Sequence, residues 1–168
     1  MIFGGIAYMF AFVKRLGSLA KKMLSLWYGV LYSYKEKSGT PIKLHFACKT
    51  TICLHPKGQI AKLLYARQFE QHEINLVINY LKPGMNVLDI GANIGQYSLI
   101  ADKIISPLGR VWAFEPSTEN FDRLVANVSL NKAVTVNAVQ LALGDVEDKM
   151  VALRRDPGLG DAERYLDL

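Results

Sequence analysis

From about residue 85 onward, short apolar runs alternate with stretches in which apolar residues recur at helical spacing. The runs MNVLDIG, RVWAFEP and TVNAVQLALG have the length and the β-branched content of buried strands. Between them, residues from about Gln96 to Ile105 and from about Thr118 to Asn131 follow the period of amphipathic helices. This alternation predicts an α/β fold, in which parallel strands are joined by crossover helices.

Three smaller elements precede the alternation. Residues from Val13 to about Tyr34 have an apolar stripe with lysines opposite it, which predicts a basic amphipathic helix. Residues 42–48 and 52–55 predict a small hairpin or two strands, and residues 69–81 predict a helix that ends before Pro83 and Gly84. We therefore divide the chain into a helical leader (1–34), a small β-containing lead-in (35–68) and an α/β part (69–168).

Charge is distributed unevenly between these parts. Residues 1–67 hold eleven Lys/Arg and one acidic residue (+10), whereas residues 68–168 hold nine Lys/Arg and fourteen acidic residues (−5), which together give the net charge of +5. A basic leader on an acidic body argues against a uniform nucleic-acid-binding surface, and we expect no nucleic-acid partner. The leader, residues 2–34, can contact an anionic membrane peripherally, and it can equally pack its stripe on the protein or on a second copy.

The apolar run at residues 2–13 is too short to cross a bilayer and lacks the flanks of a signal peptide. We therefore expect a cytoplasmic protein, with membrane association through the leader as the alternative. Two cysteines are too few for a disulfide framework and agree with a reducing compartment.

Cys48, Cys53 and two histidines raise the question of a metal site. If Thr50-Thr51 formed the hairpin loop, Cys48 would face Cys53 and His45 would lie on the opposite face from His55. Four ligands would not converge, and the spacing matches no common zinc pattern. We predict no metal site.

The segment VLDIGANIG at residues 87–95 is a strand followed by a glycine-containing loop and a helix. Gly91 allows a tight turn after the strand, and Gly95 lets the helix begin close to a ligand and to the sheet. Asn93 stands where many such loops have a glycine, and asparagine tolerates positive φ. Asp89, at the end of the strand, can face a cationic ammonium group, although a local contact within the turn is the alternative.

A second acidic residue, Glu115, ends the next predicted strand twenty residues after Gly95. At this separation a carboxylate can accept hydrogen bonds from both hydroxyls of a ribose; an exposed charge at a strand end is the alternative. A nicotinamide-binding fingerprint would require glycines where this chain has Asn93 and Gln96. The pattern therefore favours a nucleoside ligand without a diphosphate.

The segment from about Ile60 to Gly144 resembles class I S-adenosylmethionine-dependent methyltransferases, specifically the FkbM family. The resemblance is carried by LKPGMNVLDIGANIGQYSLIA (81–101), AFEP (113–116), the Asn120/Phe121…Leu124…Asn127 run and ALGD (142–145). It covers about half of the chain, and the preceding IAKLLYARQFEQHE resembles the lead-in helix of such proteins.

The resemblance implies the cofactor S-adenosylmethionine and a set of residues that would hold it. Glu115 would bind the ribose, Pro116 and Ser117 would border the adenine, and Asp145 would bind the adenine amino group. Asp145 can equally cap its own turn. The methionine part would be surrounded by Asp89, Gly91, Ala92, Asn93 and Gly95.

The resemblance also implies a Rossmann-like sheet and methyl transfer to an oxygen, with a sugar or polyketide-like hydroxyl on a small molecule or glycan as the acceptor. The chain ends after about the third strand of that fold, before the elements that bind the acceptor, and no catalytic base can be named. We expect the 168 residues alone to be an inactive fragment with an open strand edge prone to self-association. The alternatives are a cofactor-binding module without catalysis and a nicotinamide-dependent oxidoreductase.

Overall fold

The structure, a computed structural model, describes residues 18–145, 152–155 and 164–167, with side chains from residue 26 to residue 145. Five helices and seven strands follow one another in this part of the chain. They are α1 (Ser18–Ser38), β1 (Ile42–His45), β2 (Thr51–Leu54), α2 (Gly58–Tyr65), α3 (Gln71–Tyr80), β3 (Asn86–Ile90), α4 (Gln96–Ile105), β4 (Arg110–Phe114), α5 (Thr118–Asn131), β5 (Val136–Val139), β6 (Ala152–Arg155) and β7 (Arg164–Asp167).

The centre of the fold is a parallel sheet in the order β3-β4-β5. Asp89 lies opposite Ala113 on β4, and Trp112 of β4 lies opposite Asn137 on β5. Crossover helices α4 and α5 join the strands, and their apolar faces provide fully buried residues such as Leu99 and Leu124. The predicted α/β fold is confirmed as a Rossmann-like arrangement, because apolar runs at strand spacing alternate with helices that bury one face each.

Strand β3 lies at one edge of this sheet. No other described strand pairs with its outer side, and the side chains of Leu88 and Ile90 are each 64% exposed. Strands β6 and β7 instead pair with each other, antiparallel, in a sheet of their own. The expected open edge at β3 is therefore present among the described strands, and an exposed apolar edge favours pairing with another chain.

Helix α1 packs one of its faces on the protein. Tyr32 is 2% exposed, its hydroxyl donates to the Gly58 carbonyl over 3.1 Å, and its ring lies 5.5 Å from that of Tyr65. This packing continues the helix to Ser38, four residues beyond the predicted end at Tyr34. Another face is exposed and apolar, with Leu26, Trp27, Val30 and Tyr34.

The leader before residue 18 lies outside the described residues. None of the described helices is both long enough and apolar enough to cross a membrane. The contact of residues 2–34 with an anionic membrane stays a prediction.

The predicted hairpin exists, but its loop differs from the expected one. Strands β1 and β2 pair antiparallel with His45 opposite Thr51, so Cys53 faces Lys43 instead of Cys48. A short 3₁₀ turn at Ala47–Lys49 joins the strands. Cys48 adopts a positive φ of 52°, which pulls it out of the strand, and both cysteines are free.

The helix predicted at residues 69–81 is shorter than expected. It begins at Gln71, because Glu70 has a left-handed φ of 46°. The lead-in resembling a single helix is likewise divided into α2 and α3, since Arg67 also has a positive φ, of 55°. Backbone of this kind interrupts helical hydrogen bonding, and the apolar periodicity alone does not reveal it.

Candidate cofactor site

The loop between β3 and α4 holds the predicted glycine motif. Gly91, Asn93 and Gly95 have positive φ angles of 79°, 51° and 93°, so Asn93 occupies the left-handed conformation predicted for it. The amides of Gly91 and Ala92 both donate to the carbonyl of Phe114, each over 2.9 Å. The loop is thereby fixed to the carboxyl end of the neighbouring strand β4.

Gly95 permits the close approach of α4 to α5. A Cβ atom at this position would lie 2.7 Å from Cδ1 of Leu124, in addition to the strained φ. The packing of the two crossover helices and the backbone of the loop thus require a glycine at the same position.

Glu115 connects the loop to the beginning of α5. Its side chain is buried, its Oε2 accepts from the amide of Asn93 over 2.9 Å, and its Oε1 accepts from the amide of Ser117 over 3.0 Å. The alternative of an exposed charge at the strand end is therefore wrong. Each carboxylate oxygen has a second lone pair, so the group can still accept hydrogen bonds from two ligand hydroxyls.

Asp89 is held by the helix that follows the loop. Its Oδ2 accepts from the hydroxyl of Ser98 over 2.5 Å. Burial raises the pKa of Asp89 above its ordinary value, while the hydrogen bonds from the side chain and backbone of Ser98 act in the opposite direction. This hydrogen bond joins β3 to α4. It differs from the alternative predicted from the sequence, in which Asp89 would make a local contact within the turn after β3.

Asp89 also lies in the wall of a cavity of about 320 Å³ at the open edge of β3. Apolar side chains from α3 and β3 form most of the wall, together with Glu73 and Tyr97. The Tyr97 hydroxyl donates a hydrogen bond to Glu70 over 2.6 Å. Burial raises the pKa of Tyr97, and the hydrogen bond to Glu70 raises it further. A carboxylate in such surroundings favours a cationic ligand group.

The residues predicted to border the adenine lie in three different environments. Ser117 is buried and caps α5, since its Oγ accepts from the amide of Asn120 over 3.4 Å. Pro116 is half-buried, and Asp145 is exposed at the end of the segment that follows β5. The structure thus joins Asn93, Glu115 and Ser117 by hydrogen bonds, and the role of Asp145 stays a prediction.

Gln96 is a further candidate for ligand binding. In the sequence it is noticeable only as a departure from the nicotinamide fingerprint. It is the first residue of α4 and is 6% exposed, and its Nε2 has no hydrogen-bond partner among the described residues. A buried amide without an acceptor is costly, so a ligand that supplies a carboxylate or hydroxyl here would gain affinity. Gln96 thus adds an unpaired donor at the first residue of α4, directly after the glycine loop.

A smaller cavity of about 30 Å³ is lined by residues that include Asn93, His55 and Arg123. Burial lowers the pKa of His55, and the nearby guanidinium of Arg123 lowers it further. Arg123 itself pairs with Glu119 over 2.6 Å. A space of this size holds about one water molecule.

Comparison with known proteins gives neighbours in fold only. No protein-family model matches the chain, and no curated protein matches it in sequence. Among solved structures, Pyrococcus horikoshii TYW2, crystallised with MeSAdo, is 24% identical with a TM-score of 0.48, and the match covers 62% of this chain and 37% of that one. A SAM-dependent O-methyltransferase from Thermotoga maritima is 15% identical with a TM-score of 0.41, covering 61% and 49%.

A protein assigned as an rRNA methylase from Clostridium thermocellum is 14% identical with a TM-score of 0.41, and the match covers 42% of this chain and 39% of that one. The chain therefore spans less than half the length of each of these three structures. Similarity of this extent shows no family membership, and the case for a function depends on the site itself.

Proposed function

We propose that this chain contains the cofactor-binding half of an S-adenosylmethionine-dependent methyltransferase. The proposal is supported above all by the position of Glu115. This buried carboxylate lies at the end of β4 and accepts a hydrogen bond from the amide of Asn93 in the β3–α4 loop. A buried carboxylate at this point of a parallel α/β sheet is placed to accept a ribose diol.

The proposal assigns one part of the cofactor to each group. Glu115 binds the two ribose hydroxyls, and the carboxylate of Asp89 faces the ammonium of the methionine part. The loop at residues 91–95 surrounds the methionine part, and Pro116, Ser117 and Asp145 border the adenine. Membership of the FkbM family is part of the proposal and depends on the sequence blocks described above.

The hydrogen bonds of the loop argue against a dinucleotide. A diphosphate needs free amides on the glycine loop, whereas the amides of Gly91 and Ala92 are taken by Phe114 and that of Asn93 is taken by Glu115. The loop also has Asn93 and Gln96 at the positions where a nicotinamide fingerprint has its second and third glycines. A nicotinamide-dependent oxidoreductase is thus the weaker hypothesis.

When bound, the cofactor supplies an electrophilic methyl group on a sulfonium. Held by Glu115 and Asp89, the cofactor would supply this methyl group to an acceptor oxygen and become S-adenosylhomocysteine, and the hydroxyl proton would pass to a base or to solvent. The described residues contribute binding and orientation. We propose a sugar or polyketide-like hydroxyl as the acceptor, and the rRNA methylase among the fold neighbours adds RNA to the acceptors that need testing.

Calorimetry with S-adenosylhomocysteine, S-adenosylmethionine, NAD and ATP tests the binding half of the proposal. We expect the two S-adenosyl compounds to bind more tightly than NAD or ATP, and tighter binding of NAD would contradict this. Transfer of a labelled methyl group by the longest available reading frame to glycans, small hydroxyl compounds and RNA distinguishes an enzyme from a binding module. Binding without transfer to any of these acceptors would favour the module.

A further inference from the structure

The open edge of β2 is covered by side chains instead of by another strand. On α5, Asn131 accepts from the amide of Thr51 over 2.7 Å and donates to the carbonyl of the same residue over 2.6 Å. One helical turn earlier, the Oδ1 of Asn127 accepts from the amide of Cys53 over 2.7 Å. The two asparagines thus bond to the edge of β2 as a neighbouring strand would, which explains why the hairpin docks on α5.

Asn127 makes one further bond that Asn131 does not make. Its Nδ2 donates to the carbonyl of Ile94, inside the glycine loop, over 2.9 Å. Asn127 is fully buried, so its amide has no water to replace either partner. A single side chain therefore joins the hairpin, helix α5 and the loop between β3 and α4.

We propose that Asn127 is a positioning residue for the cofactor loop, and that through it the β1–β2 hairpin forms part of the cofactor site. The bond to Ile94 holds the loop between Asn93 and Gly95, which both have positive φ, immediately before α4 begins. Removing the bond frees the loop to leave this conformation, because the left-handed backbone of Asn93 is strained and is kept only by the contacts around it. As a statement about cofactor affinity, the inference rests on the proposed function.

The pair Asn127 and Asn131 provides a matched control. Asn127→Ala and Asn131→Ala each remove hydrogen bonds to β2 from the same face of the same helix, but only the first removes the bond to the loop. We expect Asn127→Ala to weaken binding of S-adenosylhomocysteine by about tenfold and Asn131→Ala to change it by less than about twofold. Equal losses in the two folded variants would reduce Asn127 to a structural role and overturn the proposal.

Asn127→Asp separates the two bonds of this side chain. When ionised, the introduced carboxylate still accepts from Cys53 but cannot donate to Ile94, so at a pH that keeps it ionised we expect the hairpin to stay docked and cofactor affinity to fall as in Asn127→Ala. Affinity equal to that of the unsubstituted chain would overturn the proposal.

Amide hydrogen exchange without any ligand tests the positioning claim independently of the proposed function. We expect faster exchange at residues 91–95 in Asn127→Asp and no change there in Asn131→Ala.

In the unsubstituted chain, S-adenosylhomocysteine should slow exchange at Cys53 more than at Thr51, because coupling between two sites is reciprocal. This measurement keeps the test open if Asn127 variants do not fold, and unchanged exchange at Cys53 on ligand binding would refute the proposal.

If the unsubstituted chain binds no S-adenosyl compound, the proposed function fails. The exchange of residues 91–95 in the unliganded variants then still decides whether Asn127 positions the loop, so the two failures can be distinguished.

Discussion

Replacing Glu115 by alanine should damage both folding and cofactor binding, by amounts that follow from its two hydrogen bonds. The amides of Asn93 and Ser117, which donate over 2.9 and 3.0 Å, would lose their acceptor. A buried donor without a partner costs about 1–3 kcal/mol, so the two donors together should lower the free energy of unfolding by roughly 2–6 kcal/mol. The loss of the ribose contacts should weaken binding of S-adenosylhomocysteine by about 1–3 kcal/mol.

Asp102 provides the matched control, because it is a buried carboxylate with a similar number of hydrogen bonds outside the candidate site. It is 3% exposed, and its Oδ1 accepts from the amide of Thr135 over 3.1 Å and from its hydroxyl over 2.7 Å. Asp102→Ala should therefore destabilise the fold to a similar extent and leave the affinity of the folded protein unchanged.

Urea unfolding and calorimetry on the same preparations measure the two effects separately. Glu115→Gln, which keeps one acceptor oxygen, should lie between the unsubstituted chain and Glu115→Ala in both. The reasoning is refuted if folded Glu115→Ala binds S-adenosylhomocysteine as tightly as the unsubstituted chain does, because Glu115 would then not contact the ligand.

Three further predictions concern other parts of the molecule. Burial raises the pKa of Asp89 above 3.8, so the stability that this group contributes is present below pH 3.8 and is lost as the pH rises through its folded-state pKa. Asp89→Asn should therefore raise the melting temperature at pH 7 but not near pH 3, and it should weaken cofactor binding. A lower melting temperature of the variant at pH 7 would contradict this. Gly95→Ala should lower the free energy of unfolding in urea by about 1–3 kcal/mol, because the added Cβ would meet Leu124. Gly144→Ala, whose Cβ would meet nothing within 4 Å, should be near neutral, and equal effects of the two substitutions would be inconsistent with this packing. The chain should float with anionic vesicles at low salt, and Trp27→Glu, on the exposed face of α1, should abolish flotation; an intact chain that never floats would show that the leader does not bind membranes.

The sequence was a reliable guide where one face of an element is buried on a continuous core. The bounds of α4 and α5 agree with the apolar periodicity, and β3 and β4 agree with the short apolar runs. The conformation of Asn93 was also predictable, since few residues tolerate positive φ. These features depend on each residue and its near neighbours in the chain, so the sequence alone predicts them.

Features that depend on backbone turns or on distant partners were not predictable in the same way. The break between α2 and α3 occurs at residues with left-handed backbone, and neither Arg67 nor Glu70 is typical of that conformation. The roles of Asn127 and Asn131 need the hairpin in place, because their partners lie 74 and 80 residues earlier in the chain. The burial of Glu115 likewise follows only when the loop folds back onto the end of β4.

A crystal structure of the chain with S-adenosylhomocysteine tests the central claim most directly. We predict that the ribose hydroxyls donate to the carboxylate of Glu115, that the ligand's ammonium lies beside Asp89, and that the loop at residues 91–95 keeps its present conformation. A ligand bound elsewhere, or bound here with its ribose away from Glu115, would contradict the account.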